Sequence, residues 1–264
     1  MTVNGAVMDT DKVSVGLPSR PEPSRLPAFE RPRTPAVSSL AILVPSRGRP
    51  GNLRRLAEAV EATAQPGTML YSRLDDDDPT LEEYLQLQLP NVLLSVGPRI
   101  FLSASYNELA AAVIDPYVAL LGDDVLPETP GWDETLINSL GGRPGVAFGS
   151  DGLEDKHGAN LCTHVVVPTT VYTALGWIAL PACRHLFLDN AWGDIGRMLD
   201  NLVYSPNVKL THLHPWAGLS ERDQTYAEAN DKDKRKLDRS AYEAWRDGEG
   251  QHEARVLLER AGLR

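Results

Sequence analysis

Only two cysteines, Cys162 and Cys183, occur in 264 residues. A single pair supports neither a disulfide framework nor a zinc-ribbon spacing, which suits a reducing cytoplasm and plain buried thiols. No apolar run approaches the ~20 residues needed to cross a bilayer, so a chain that is 42% hydrophobic reads as soluble. The first residues carry Asp9 and Asp11 and lack the apolar stretch of about 7–15 residues that a signal peptide needs. Neither G-x-x-x-x-G-K-[ST] nor G-x-G-x-x-G is present, which argues against a P-loop NTPase and against dinucleotide binding. There are no internal repeats.

Excess positive charge is missing too. The net charge is −10, and it is unevenly spread. Residues 1–36 hold five basic and four acidic groups, and residues 221–264 hold ten and eleven. That leaves 11 basic against 21 acidic groups in residues 37–220, which accounts for the whole imbalance. An acidic core excludes a general polyanion binder. It favours carboxylates that hold a divalent metal facing phosphates.

In chain order, residues 1–37 form a proline-rich lead-in without apolar period, expected to be disordered, whose arginines include Arg20, Arg25, Arg31 and Arg33. Strand-type runs follow at Leu40–Val44, Met69–Leu74, Val92–Val96 and Tyr117–Leu121. Between them lie helical stretches from Asn52 (a plausible N-cap), at Leu81–Leu87 and over Phe101–Val113. Alternation of this kind predicts an α/β fold with a mostly parallel sheet flanked by crossover helices. The second half is less regular. It has helices near Thr135–Leu140, Thr169–Leu175 and in Phe187–Leu202, and strands at Val146–Gly149, Thr163–Val167 and Val208–His214. Residues 221–264 read as a helical extension that packs on the domain or on a second copy of the chain.

Parallel strands send their carboxyl ends to one side, so the loops after them converge without being close in sequence. Here those loops hold Pro45-Ser46-Arg47-Gly48-Arg49, the run Asp75–Asp78, Gly97-Pro98-Arg99, and Gly122-Asp123-Asp124. Arginines suit phosphate, and carboxylates suit a hard cation, ribose hydroxyls or a base edge. Together they predict a nucleoside diphosphate bound with a cation. The plain alternative for Asp75–Asp78 is a solvated acidic turn before Pro79.

The strand entering Val44-Pro45-Ser46-Arg47-Gly48-Arg49-Pro50, the acidic loop after the second strand, and Leu121-Gly122-Asp123-Asp124 resemble the nucleotide-sugar half of a GT-A glycosyltransferase. The likeness is greatest to the family-2-type enzymes. It covers residues 38–130 well and 131–220 loosely, the catalytic domain then being 38–220. The resemblance implies a Rossmann-like GT-A fold and a soluble, cytoplasmic transferase acting on a nucleoside-diphosphate sugar. It puts Pro45, Ser46, Arg47 and Arg49 against the nucleotide, Asp75 or Asp76 at the base or ribose, and Arg99 at base or phosphate. The usual Asp-x-Asp is departed from, since Gly122 stands at its first position. Asp124 is then the expected metal ligand and Asp123 a ribose contact.

GT-A enzymes often add a late histidine to the metal, which implies His214, with His212 the alternate on the same face of its strand. Carboxylate, imidazole and diphosphate oxygens would make a hard site for Mn2+ or Mg2+. An acidic motif ahead of a helix supplies the general base in family-2-type enzymes, which implies Asp189, with Asp194 second. Either Asp189 or Asn190 would equally serve as a helix cap, and Trp192 and Trp216 as packing. The rival readings are a sugar-1-phosphate nucleotidyltransferase, disfavoured by a loop with one glycine, and a non-catalytic sugar- or nucleic-acid-binding module. The acceptor class stays open among glycans, small molecules and hydroxylated DNA bases, since enzymes of this look occur in bacteria and their viruses.

Overall fold

The computed structural model describes residues 40–153, 156, 158–213, 218–219, 227 and 231–264. The lead-in, His157, His214 and Trp216 fall outside them. Strand β1 (Leu40–Pro45) lies near the middle of the first half, its residues Leu40 to Val44 without solvent exposure. Such a continuous apolar run is what a strand covered on both faces requires. It pairs in parallel with β2 (Met69–Asp75) on one side and with β4 (Tyr117–Leu120) on the other, and β3 (Val92–Gly97) adds to β2. Helices α1 (Pro50–Thr63), α2 (Leu81–Leu85) and α3 (Leu102–Ala111) form the crossovers.

Register holds the strand ends level. Pro45 stands opposite Arg73, and Asp75 opposite Gly97. Beyond the pairing, the Ser46 N–H still donates to the Arg73 carbonyl at 3.1 Å and the Asp76 N–H to that of Gly97 at 2.8 Å. Helix α1 begins two residues ahead of Asn52. Pro50 occupies its first turn, where a missing N–H costs nothing, and the Arg49 carbonyl accepts the Asn52 and Leu53 N–H groups.

The later half changes direction. Strand β5 (Val125–Pro127), helix α4 (Trp132–Ser139), β6 (Val146–Ser150), β7 (Val166–Pro168), helices α5 (Thr169–Leu175) and α6 (Leu188–Met198), and β8 (Leu202–His212) complete one sheet. Its order is β3-β2-β1-β4-β7-β6-β8-β5, with β7 antiparallel to β4 and β6, and β5 antiparallel to β8. The sheet is therefore parallel only through β3-β2-β1-β4 and in the β6–β8 pair. Strand β7 is shorter than the apolar run suggested, because Thr163 is drawn aside to Asp151 and His164 adopts φ 55°. Strand β8 starts earlier than expected. Its register against β6 jumps between Ser205 and Lys209, so Pro206 sits in a bulge, where the missing donor is tolerated.

Two apolar clusters cover the sheet. One joins α1 and α4 to β1 through Leu53, Leu56, Val60, Trp132 and Leu136. The other gathers α3, α5 and α6 with the C-terminal helices α7 (Lys232–Asp247) and α8 (Glu249–Arg260), through Trp192, Tyr242, Ala254 and Leu258. Helices α7 and α8 thus pack on each other and on α5 and α6 of their own chain. No helix among the described residues is long and apolar enough to cross a membrane.

Candidate functional site

The loop after β1 is anchored by a chain of short bonds. Ser46 Oγ donates to Asp123 Oδ2 at 2.6 Å and lies 2.7 Å from the Tyr84 hydroxyl, which accepts the Arg49 N–H at 2.8 Å. Because the one serine hydrogen goes to Asp123, the tyrosine hydrogen must point to Ser46. Arg49 Nη1 reaches Asp123 Oδ1 at 3.3 Å and Asp124 Oδ2 at 3.7 Å. Gly48 turns at φ 70°, and its N–H donates to Asp78 Oδ2 at 2.7 Å. Asp78 is buried and also accepts from the Thr80 N–H and hydroxyl, so this member of the acidic run is no solvated turn residue.

Asp75 ends β2 among three arginines. Arg73 Nη1 lies 2.8 Å from it, Arg47 Nη1 3.1 Å and Arg99 Nε 4.0 Å. Arg47 also pairs with the exposed Asp77. Arg73, 3% exposed, binds Glu108 Oε2 at 2.7 Å and the Pro98 carbonyl besides. It therefore joins the second strand end, the third strand-end loop and α3. The Asp76 side chain stands in solvent.

Asp123 and Asp124 differ in environment. Burial, and then the charge of Asp124, push the Asp123 carboxyl up to about 6 against the pull of Arg49 and Ser46. Burial also acts upward on Asp124, but the His212 hydrogen bond and charge, with Arg49 and His164, outweigh it and hold the carboxyl at about 2. Strand pairing explains the histidine. Val125 stands opposite His212, and the Leu213 N–H donates to the Asp124 carbonyl at 2.8 Å, which brings His212 Nε2 to 3.4 Å from Asp124 Oδ1. The His164 ring meets that of His212 edge-on at 5.2 Å.

Next to this pair lies a cavity of about 220 Å³, lined by Gly122, His164, His212, His185, Asp189 and Trp192 among others. Asp189 accepts the Asn190 N–H at 2.9 Å, and its carbonyl receives the Cys162 thiol. The cap of α6 is neither Asp189 nor Asn190 but Phe187, in the left-handed region at φ 67°. Asp194, buried, accepts the Tyr242 hydroxyl at 2.7 Å and Arg197 at 2.7 Å, and it is not among the cavity's lining residues. The bond from Tyr242 ties α6 to α7. Burial pushes the Cys162 thiol up to about 12, which keeps it protonated near neutral pH.

The strand-end edge thus brings together Pro45, Ser46, Arg49, Asp123, Asp124 and His212, with Arg47, Asp75 and Arg99 beside them. Arg73, Tyr84, His164 and His185 were not singled out by sequence for this site, whereas Asp78 belonged to the acidic run Asp75–Asp78. A charged residue inside the apolar run Met69–Leu74 was the one available signal for Arg73. Among the described residues no three His, Cys, Asp or Glu side chains gather as a metal-binding group. The facing carboxylate of Asp124 and imidazole of His212 form a two-member donor set, oxygen and nitrogen, that fits a hard or borderline cation completed by other oxygens.

No protein-family model and no curated protein sequence matches the chain. Solved structures do. Residues 1–349 of S. aureus TarS in complex with UDP-GlcNAc superpose with a TM-score of 0.56 at 12% identity, over 80% of this chain and 67% of that one. The mannosyltransferase PcManGT from Pyrobaculum calidifontis, in complex with GDP-Man and Mn2+, gives 0.53 at 12% identity, over 92% and 77%. The fold is GT-A-like. A longer S. aureus TarS structure gives 0.52 at 11% identity over 69% of this chain, which spans only 38% of that protein's chain.

Proposed function

We propose that the chain transfers a sugar from a nucleoside-diphosphate sugar to a hydroxyl, with Mn2+ or Mg2+ at Asp124. The observation that carries this reading is the meeting of Asp123, Asp124, Arg49 and His212 at one sheet edge, beside a cavity that holds Asp189. The fold adds support, since neighbours that share it were solved with GDP-Man and Mn2+ or with UDP-GlcNAc. Asp75 with Arg99 would receive the base or ribose, and Ser46 and Asp123 the ribose side. Arg47 and Arg49 supply positive charge near the diphosphate.

Asp124 and His212 would hold the cation, with His214 a further ligand to test. When bound, the cation acts as a Lewis acid that offsets charge on the departing diphosphate. Asp189 takes the proton of the acceptor hydroxyl. The acceptor oxygen then bonds to the anomeric carbon as the bond to the diphosphate breaks, and the nucleoside diphosphate leaves. Such a single displacement inverts the anomeric centre. The acidic core of residues 37–220 favours a glycan or small molecule over duplex DNA as the acceptor.

Release of nucleoside diphosphate from UDP-glucose, UDP-GlcNAc and GDP-mannose, with Mn2+ and without, tests the reading. Wild type should turn over at least one donor, and Asp124→Ala should lose activity by about a thousandfold, the equivalent of roughly 4 kcal/mol in the barrier. Equal turnover in the two proteins would sink it.

A further inference from the structure

One wall of the cavity is held from outside the sheet by a single carboxylate. Asp238 of α7, 2% exposed, accepts the N–H groups of Arg184 at 2.8 Å, His185 at 2.9 Å and Leu186 at 2.7 Å. An ionised carboxylate has about four acceptor positions, so three convergent amides nearly fill it. Bonds to a charged acceptor are about twice as strong as neutral ones. The next residue, Phe187, has φ 67°, a region that a bulky side chain enters only when its surroundings enforce it. Two more residues of α7 enforce it here. Tyr242 stacks on the Phe187 ring with centroids 5.6 Å apart, and the Arg239 guanidinium lies 5.8 Å from the ring centre. From the other side, the Arg184 carbonyl accepts the Ser103 N–H at 3.1 Å.

This turn decides where α6 starts, and Asp189 is the second residue of that helix. His185, Leu186, Phe187 and Asp189 all line the cavity. We propose that Asp238 is a positioning residue for sugar transfer: through the amides of residues 184–186 it fixes the turn at Phe187 and so aims the Asp189 carboxylate at the acceptor. The inference rests on the transfer reaction proposed above. Under it, α7 is part of the acceptor site. If Asp238 merely fastened α7 to the domain, its loss would lower stability but leave catalysis per folded molecule alone.

Donor hydrolysis by the full chain with Mn2+ is the test, water standing in for the acceptor and giving its proton to Asp189. Asp238→Asn keeps the side chain's shape but has one acceptor oxygen for three amides. Its kcat should fall about tenfold, as expected for a displaced base, while the donor KM and the calorimetric affinity for UDP or GDP stay within about twofold. Asp238→Ala should lose more of the same parameter. Wild-type kcat in Asp238→Asn overturns the proposal, and so does a parallel loss of kcat and nucleotide affinity, which marks general loosening. If wild type hydrolyses none of the three donors, the transfer reading itself fails. The clamp is then read by hydrogen exchange: the amides of 184–186 should exchange at least about tenfold faster in Asp238→Asn, with β1 amides unaffected. Unchanged exchange there refutes the clamp.

Discussion

The two halves of the sheet build their share of the site by different means. In residues 40–124 most polar groups end or follow a parallel strand, and level registers such as Pro45 opposite Arg73 and Asp75 opposite Gly97 bring the loops to one edge. Topology alone forces Ser46, Asp75 and Asp123 to be neighbours. Beyond Asp124 the cavity wall is made of loops together with the start of α6 and the end of β8. His164 and Phe187 take positive φ values, and the loop before α6 hangs on Asp238, more than fifty residues further along the chain. The first kind of site is fixed by the backbone pattern, the second by individual long-range bonds. A substitution in the first should therefore act through charge and packing, and one in the second through geometry.

The sharpest test of that contrast is Asp189→Asn. It removes the proposed proton acceptor and leaves the strand-end loops untouched, so transfer should fall by about 10²- to 10⁴-fold while nucleoside diphosphate binding is preserved. If nucleotide affinity fell as well, the halves would not be separable. Arg73→Met asks the opposite question. It strips the buried partner from Asp75 and Glu108 together, and leaving a buried charge without its counter-ion costs about 3–5 kcal/mol. Urea unfolding should record a loss of that order. A loss below about 1 kcal/mol would mean that Arg47 and Arg99 suffice to hold Asp75.

The same contrast explains how far the sequence could be read. Leu40–Val44 and Met69–Leu74 declare themselves as buried strands because nothing polar but Ser72 and Arg73 interrupts them. Once their direction is known, Ser46, Arg49, Asp75 and the Gly122-Asp123-Asp124 turn must share an edge. Arg73 and Tyr84 escaped notice because each lies inside an element, where a charge or hydroxyl reads as the solvent face. Asp238 was harder still. It stands in Lys232-Asp233-Lys234-Arg235-Lys236-Leu237-Asp238-Arg239, a run with every mark of a solvated helix face. Only the fold reveals three amides from a distant loop aimed at it. Strand β7 shows the limit in reverse: the apolar run was visible, but not the pull of Asp151 on Thr163 that shortens the strand.

A smaller effect separates the halves by pH. Burial lowers the His185 imidazole below its ordinary value, with Lys234 and Arg49 acting the same way against the opposing charges of Asp238 and Asp124. Between that lowered value and the unfolded value near ~6.5, the unfolded chain binds more protons than the native one. Stability from this group is therefore complete above ~6.5 and declines as the pH falls through the window. Thermal unfolding in a chelator at pH 7.5 and 5.5 should show a larger decline for wild type than for His185→Gln. Equal declines would remove His185 as the acid-sensitive point of the cavity wall.

The least effect should come from the acidic run itself, where two adjacent residues of one type part company. Asp77 is exposed, and its pairing with Arg47 is the kind of surface contact worth about 0–1 kcal/mol. Arg47 keeps Asp75 when Asp77 is gone. Asp78 is buried and bonds the Gly48 N–H together with the Thr80 N–H and hydroxyl, so its loss removes three bonds from part-buried donors to a charged acceptor, at a cost of about 1–3 kcal/mol. Urea unfolding of Asp77→Ala and Asp78→Ala should rank them accordingly, and donor KM should move only in Asp78→Ala, whose partner Gly48 carries the turn between Arg47 and Arg49. Should Asp77→Ala be the more costly, the loop after β1 is held by its surface charges, and backbone topology is not enough to set the first half of the site.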